Sequence, residues 1–432
     1  MAHTFRRIGM IALSVIIAAV SFAAIVVAGI VQSGQSSSAP LSPPEPVANP
    51  ARHLQQPAVT GRFTVAVVLG QSGTDAADAL APYEVLAGSP AFTVYTVAAS
   101  MRPAVLDGGM AVIPDHTFAD IGSGAAPTPD LIVVPAVDLP DGPEEHAARE
   151  FIADHYSAGG RVLGICAGSR LLAASGILDG TTATSHWSRI AALEESRPAV
   201  TWIRGERYVQ DGRITTTAGV TSGIPGTLKV IADMAGPTEA NRVGAQVGYP
   251  GWSLDASTSM PAQSFGLEDT EVLLNTAFPW SRPTVDVELT EGVGEIDAAA
   301  LFEVYTYSQA ASTRAVSATG TIRTRHGLTI RTELTGADTG VAPLVAGSLA
   351  GHAGFGGFDA AIEELARTTG REVAVSVGKM IEYPLDRVTL SAAPSADRWR
   401  APALLATAVL LAAAFGAAPF AVRRLRRRRE GR

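Results

Sequence analysis

The sequence holds one cysteine, Cys166, so no internal disulfide can form and zinc sites built from several thiolates are excluded. Only 17% of its 432 residues are charged and 6% aromatic, while 47% are hydrophobic. That is too apolar for a disordered chain and too long for one ordinary domain. Basic residues cluster at the two ends. Seven arginines from Arg423 to Arg432, against Glu430, give the C-terminus +6, and Arg6 with Arg7 add +2, so a chain of net charge -8 has a body of -16. Such a body repels a phosphate backbone, and nucleic acid is not expected as a partner. No metal-ligand cluster is visible, and no cofactor is expected.

Gly9 to Val31 is an uncharged run of 23 residues and Ala401 to Val422 another of 22. Both reach the roughly 20 residues that cross a hydrocarbon core. A cleaved signal peptide is the competing reading of the first run, which is longer than such segments and lacks a clean small-x-small site after it. A buried Ala/Leu-rich helix competes for the second, against the arginine cluster that follows it. Lysine and arginine favour the cytoplasmic side, so residues 1–8 and 423–432 are expected there, with the main body outside the cell membrane. Anionic lipid head groups are a natural contact for the arginine tail.

Residues 32–61, rich in Ser, Pro, Gln and Ala, read as a flexible tether. Phe63–Leu69, Phe92–Val97, Leu131–Val134 and Val162–Ile165 then read as strands, with helical segments near Ala76–Ala87, Pro143–Ser157 and Ser169–Ser175. This alternation predicts an α/β fold with a parallel sheet covered on both faces. Tyr208 to Thr215 reads as a hairpin with an Asp-Gly turn, and an amphipathic helix follows around Thr227–Ala235. This first domain is expected over residues 62–281. A second, over 283–390, reads as a truncated repeat: Asp78-Ala-Leu-Ala-Pro-Tyr-Glu-Val85 matches Asp297-Ala-Ala-Ala-Leu-Phe-Glu-Val304 at a constant offset of 219, with nothing corresponding to Leu131–Trp187.

In Arg161-Val-Leu-Gly-Ile-Cys-Ala-Gly-Ser-Arg170 an apolar strand runs into a small-residue turn and then a helix. The pattern predicts a nucleophile elbow that projects Cys166 into the crevice at the strand ends. The helix N-terminus beneath it would favour the reactive thiolate. The alternative is a buried cysteine acting as a small apolar residue.

At these residues the chain resembles the PfpI superfamily, the protein-deglycase-like branch of the glutamine-amidotransferase-like fold, over about residues 62–250. Ile165-Cys-Ala-Gly168 is similar to the family's elbow, Thr184-Ser-His-Trp187 to the segment that supplies a histidine, and Pro82-Tyr-Glu-Val85 to the site of the acidic residue that hydrogen-bonds the cysteine. The wording is nearest to isonitrile hydratases and to the amidase-like domain of GlxA-type regulators, and no helix-turn-helix region follows. The resemblance implies a flavodoxin-like fold. It also implies Cys166 as nucleophile, Glu84 as the carboxyl that shares its proton, and His186 as a third polar group in the pocket. A homodimer is plausible on the same ground. From the residues alone, Glu84 reads first as an ordinary helix-surface glutamate, and His186 reads equally as a structural histidine beside Trp187.

Three positions depart from the family pattern: Pro135-Ala-Val137 replaces Pro-Gly-Gly, Ala167 follows the cysteine, and Pro225 stands where an acid is expected. Two functions are therefore carried forward. One is a membrane-anchored hydrolase or hydratase acting on a small electrophile, and the other a non-catalytic ligand or redox sensor using the same pocket.

Overall fold

The computed structural model describes residues 2–37, 61–334, 344–345, 354–390 and 400–430. Helix α1 spans Ala2–Ser37, so Gln32–Ser37 continue a helix where a tether was expected, and the rest of that tether lies outside the described residues. The first lobe then runs through β1 (Phe63–Val68), α2 (Ala76–Ala87), β2 (Phe92–Ala98), β3 (Ala104–Leu106), β4 (Met110–Ile113), β5 (His116–Thr117), α3 (Phe118–Gly122), β6 (Leu131–Val134), α4 (His146–Ser157), β7 (Arg161–Gly164), α5 (Gly168–Ala174), β8 (Thr182–Ala183), α6 (Trp187–Ser196), β9 (Thr201–Trp202), β10 (Tyr208–Asp211), β11 (Ile214–Thr217), α7 (Gly223–Ala235) and α8 (Pro237–Val247). The second comprises α9 (Thr270–Ala277), β12 (Thr284–Glu288), α10 (Glu295–Ser308), β13 (Ser312–Ser317), β14 (Thr321–Arg323), β15 (Thr329–Arg331), β16 (Glu333–Leu334), β17 (Leu344–Val345), α11 (Gly356–Thr369) and α12 (Arg371–Met380), before α13 (Arg400–Glu430).

Seven strands form the main sheet in the order β10-β11-β7-β6-β1-β2-β5, parallel except for the edge hairpin strand β10. β6 is buried at every position and β1 at all but Phe63, which explains continuous apolar runs in place of alternation. This is the expected flavodoxin-like α/β architecture. β1 lies between β2 and β6, so the winding reverses there, and the loops after β1, β6 and β7 gather over that switch point.

The second lobe has a strand-helix-strand order of its own, with β12 parallel to β13 across the α10 crossover in a sheet of order β16-β13-β12-β17. A third sheet, β14-β15-β4-β3, takes strands from both lobes, pairing Ile330 with Val112. Leu80 and Leu86 of α2 share one core with Phe302 and Val304 of α10 and with Phe358 of α11. A second core, with Ile132, Ile152 and Leu171, fills the other face of the main sheet. The lobes are thus built on a common interior, and α2 is buried between them along nearly its whole length.

Helices α1 and α13 contain stretches long and apolar enough to cross a membrane, Ile8–Gly34 and Arg400–Arg424. They pack antiparallel: Arg423 lies against Met10, and a Cβ on Gly416 would stand 2.7 Å from the Ser14 carbonyl oxygen. Their other ends meet α9, where the Ser33 hydroxyl donates to the Thr276 carbonyl and Arg400 to the carbonyls of Phe278 and Trp280. Their outer faces expose Ile11, Val15, Ile16, Val20, Leu410 and Phe415.

Candidate active site at Cys166

Cys166 follows β7 and adopts φ 52°, the left-handed region that side-chain-bearing residues rarely occupy. The turn is held from both sides. The Cys166 amide donates to the Thr217 hydroxyl at 3.2 Å, and the Ser169 hydroxyl donates to the Cys166 carbonyl at 3.1 Å. Gly168 is required by close approach, since a Cβ there would stand 2.1 Å from the Val134 carbonyl oxygen. The elbow expected from Gly-Ile-Cys-Ala-Gly is therefore formed.

Its electrostatics differ from expectation. The thiol is 1% exposed, and burial, followed by the charges of Asp78, Asp75 and Glu382, pushes it well above the usual cysteine range. The Ala167 amide opposes the shift without overcoming it. Desolvation and the neighbouring carboxyls thus act against a thiolate and oppose the helix N-terminus.

The acid at the thiol is Asp78, not Glu84. Asp78 is wholly buried in the first turn of α2, accepts from the Ala136 amide at 3.1 Å and contacts the Cys166 thiol. Burial and the Asp75 charge push its carboxyl well up. Six residues further on, a helix has turned about 240° from that face, and Glu84 meets the second lobe instead. It accepts from the Ile296 amide at 2.7 Å and from Arg325 at 3.2 Å. Because α2 is apolar around most of its surface, its periodicity gave no indication which acid faces the strand ends. The matching octapeptides did contain the signal, since both begin with an aspartate.

His186 does line the cavity with Cys166. It caps α6, with Nδ1 2.8 Å from the Ser188 hydroxyl and Nε2 2.7 Å from the Met380 carbonyl oxygen. A carbonyl only accepts, so Nε2 carries the proton and Nδ1 accepts from Ser188. Burial lowers its pKa to about 4 and keeps the ring neutral. The structure thus brings Cys166 and His186 to one cavity and leaves Glu84 outside it.

That cavity, of about 480 Å³, is walled by the loops bearing Asp75 and Asp138, by Arg170 and Arg189, by Tyr307 of the second lobe and by Ile30, Ser33 and Gly34 of α1. Asp75 is held up at about 6, chiefly by burial, and lies beside the Glu303 side chain, which accepts from the Ala77 amide at 3.2 Å. Glu382 is buried just after α12 at φ 57°, accepts from the Ser222 hydroxyl at 2.5 Å, and is raised by burial to about 7. Sequence reasoning did not single out Asp75, Glu303, Tyr307 or Glu382, three of which come from the second lobe. Among the described residues no group of His, Cys, Asp and Glu is arranged to hold a metal ion. The Ala136 amide, where the family pattern has glycine, is taken by Asp78.

The family model described as DJ-1/PfpI matches residues 64–233. An isonitrile hydratase of Pseudomonas putida is 32% identical over 175 residues, which cover 40% of this chain and 72% of that protein. The HTH-type transcriptional regulator CdhR of Pseudomonas aeruginosa is 32% identical over 35% of this chain and 44% of its own length, and GlxA of Rhizobium meliloti 28% over 44% and 56%. The chain thus spans about half the length of the regulators it matches. Among solved structures, a THiJ/PfpI family protein from Pseudomonas syringae aligns at 26% identity and TM-score 0.39 over 50% of this chain and 88% of that one. Drosophila melanogaster DJ-1beta aligns at 20% and 0.38, over 43% and 97%.

Proposed function

The chain belongs to the DJ-1/PfpI family, and from that premise we propose that it is a membrane-anchored protein whose Cys166 cavity adds water to a small electrophile. The observation that carries the reading is the pairing of Cys166, at a strained elbow, with the buried carboxyl of Asp78.

Both groups are pushed towards their neutral forms, so the chemistry suited to them is an addition that separates no charge in a dry site. With an isonitrile, the relative's named substrate, the sulfur bonds to the terminal carbon. The S–H proton passes through Asp78 to that carbon, giving a thioimidate. Water then adds to the thioimidate carbon, the nitrogen takes a proton, and the C–S bond breaks with return of a proton to sulfur, leaving a formamide. Aldehydes and amides are the other electrophiles within reach of the same pair. His186, neutral and tied to Met380, orients and lines; its fixed tautomer makes it a donor to that carbonyl rather than a base.

The anchor is the α1–α13 hairpin, with both termini cytoplasmic and the body outside. The apolar outer faces and the arginines at one end of the pair support this reading. A cytoplasm-restricted reporter fused after Thr60 is expected to be inactive, and activity there would overturn the topology.

A second reading, ligand sensing without turnover, is favoured by one observation: α1 itself forms part of the cavity wall, so an occupant touches the membrane helix directly. Formamide production by the purified full chain in detergent, supplied with a small alkyl isonitrile, separates the two. Product that disappears in Cys166→Ser and Asp78→Asn supports the hydratase. Saturable binding with no product from isonitriles, aldehydes or amides would replace it with the sensor.

A further inference from the structure

The contacts between the lobes are reciprocal. Glu84 of α2 accepts from the amide of Ile296 at the start of α10, and Glu303 of α10 accepts from the amide of Ala77 at the start of α2. Glu303 lies 219 residues beyond Glu84, and Ile296 lies 219 beyond Ala77, the same offset that relates the two octapeptides. A pair of contacts exchanged in this way is the signature of a two-fold interface, here closed within one chain. The resemblance extends to the C-terminal helix pairs. Gly236 between α7 and α8 and Gly370 between α11 and α12 adopt the same extended positive-φ conformation, with φ 95° and 119°. After the pair, Gly248 at φ 70° corresponds to Glu382 at φ 57°.

The two halves of this interface have diverged in charge. Around Asp297, the counterpart of Asp78, Arg325 reaches both Glu84 at 3.2 Å and Asp297 at 3.8 Å, so the carboxyls are compensated by a cation. Around Asp78, the facing carboxyls are Asp75 and Glu303, which form no ion pair with a cation among the described residues; a buried oxygen without a hydrogen-bond partner occurs on both sides, at Asp78 and Glu303 and at Asp297. The side that retains the thiol is the side left uncompensated.

We infer that the second lobe completes the Cys166 site as a fixed internal partner. Glu303 is its positioning residue: it holds the first turn of α2, which is capped by Asp75 and carries Asp78, and so sets the protonation of the Asp78–Cys166 pair. This deepens the proposed reading of Cys166 and rests on it for its catalytic meaning. The Glu303 carboxylate holds the Ala77 amide, which lies in the first turn of α2 between Asp75 and Asp78, so a change at α10 reaches the thiol through the cap and first turn of α2. The acids facing this assembly are Asp75, Asp78, Asp107, Asp138 and Glu382, with the Tyr307 phenol beside them. The cavity wall adds neutral His186 and the cations Arg170 and Arg189.

Because Cys166 is the only cysteine, its ionisation can be followed in the full chain by ultraviolet thiolate absorbance against pH, with Cys166→Ser as the blank. This readout needs no turnover, so failure of the hydratase reading and failure of this inference are distinguishable. Glu303→Gln keeps an acceptor for the Ala77 amide and removes one ionisable acid; Glu303→Ala removes both. Each is expected to lower the thiol midpoint by about one pH unit, a roughly tenfold larger thiolate fraction below it. Glu84→Ala breaks the symmetry-related contact of the same interface away from the thiol and is expected to leave the midpoint unchanged. The inference is overturned if Glu84→Ala shifts the midpoint as much as the Glu303 variants do, or if Glu303→Gln leaves it where it is.

Discussion

Glu382 puts a measurable strain on the fold. Its carboxyl is buried and its pKa is raised from 4.5 to about 7, with burial as the main cause. A carboxyl whose folded pKa lies above its unfolded value binds more protons in the native state, so stability falls as pH rises between the two values. Below about pH 4.5 both states are protonated and the group contributes no penalty; above about 7 the penalty is complete. At 1.36 kcal/mol per pH unit, the gap of roughly 2.5 units corresponds to about 3 kcal/mol. Glu382→Gln keeps an oxygen for Ser222 and removes the titration. Thermal unfolding of the full chain in detergent, followed by circular dichroism, should show wild type and variant melting together at pH 4. At pH 8 the variant should melt about 5 °C or more higher, on the usual conversion of a few degrees per kcal/mol. A difference independent of pH, or a variant less stable than wild type at pH 8, would refute the assignment of a buried, charge-destabilised carboxyl beside the thiol.

Two further substitutions test close approaches. Gly168→Ala would drive a methyl into the Val134 carbonyl, which cannot yield without moving β6; a loss of about 2 kcal/mol in thermal stability is expected, together with altered alkylation of Cys166. Gly416→Ile would separate α1 from α13 at Ser14 and Ala18. Cysteines introduced at Met10 and Arg423 in a Cys166→Ser background should cross-link readily with Gly416 present and poorly with isoleucine there.

Local signals carried much of the fold. Ala76–Ala87 and Leu131–Val134 were legible to the residue because apolar runs between turn residues leave few alternatives, and the elbow was legible because Gly164, Ala167 and Gly168 announce a turn too tight for larger side chains. The acid was misread for a physical reason. Family wording placed it in the octapeptide, but the face of a helix buried on all sides is decided by which neighbours exist, and α10 lies more than two hundred residues away. The same distance hid Glu303, Tyr307 and Glu382, as well as the sheet in which β15 joins β4. The carboxyls that oppose the thiolate were hidden as well, because sequence displays the helix N-terminus and does not display the buried acids folded against it.

In the proposed reaction Cys166 supplies the reacting sulfur and Asp78 is its proton partner. Rapid acid quench of the full chain mixed with a small isonitrile, followed by mass spectrometry of the Cys166 peptide, tests it directly. An adduct of the isonitrile's mass on Cys166 is predicted, with its formation slowed about 10²- to 10⁴-fold in Asp78→Asn and unchanged in Glu84→Gln. Absence of any Cys166 adduct, or equal rates in wild type and Asp78→Asn, would contradict the account.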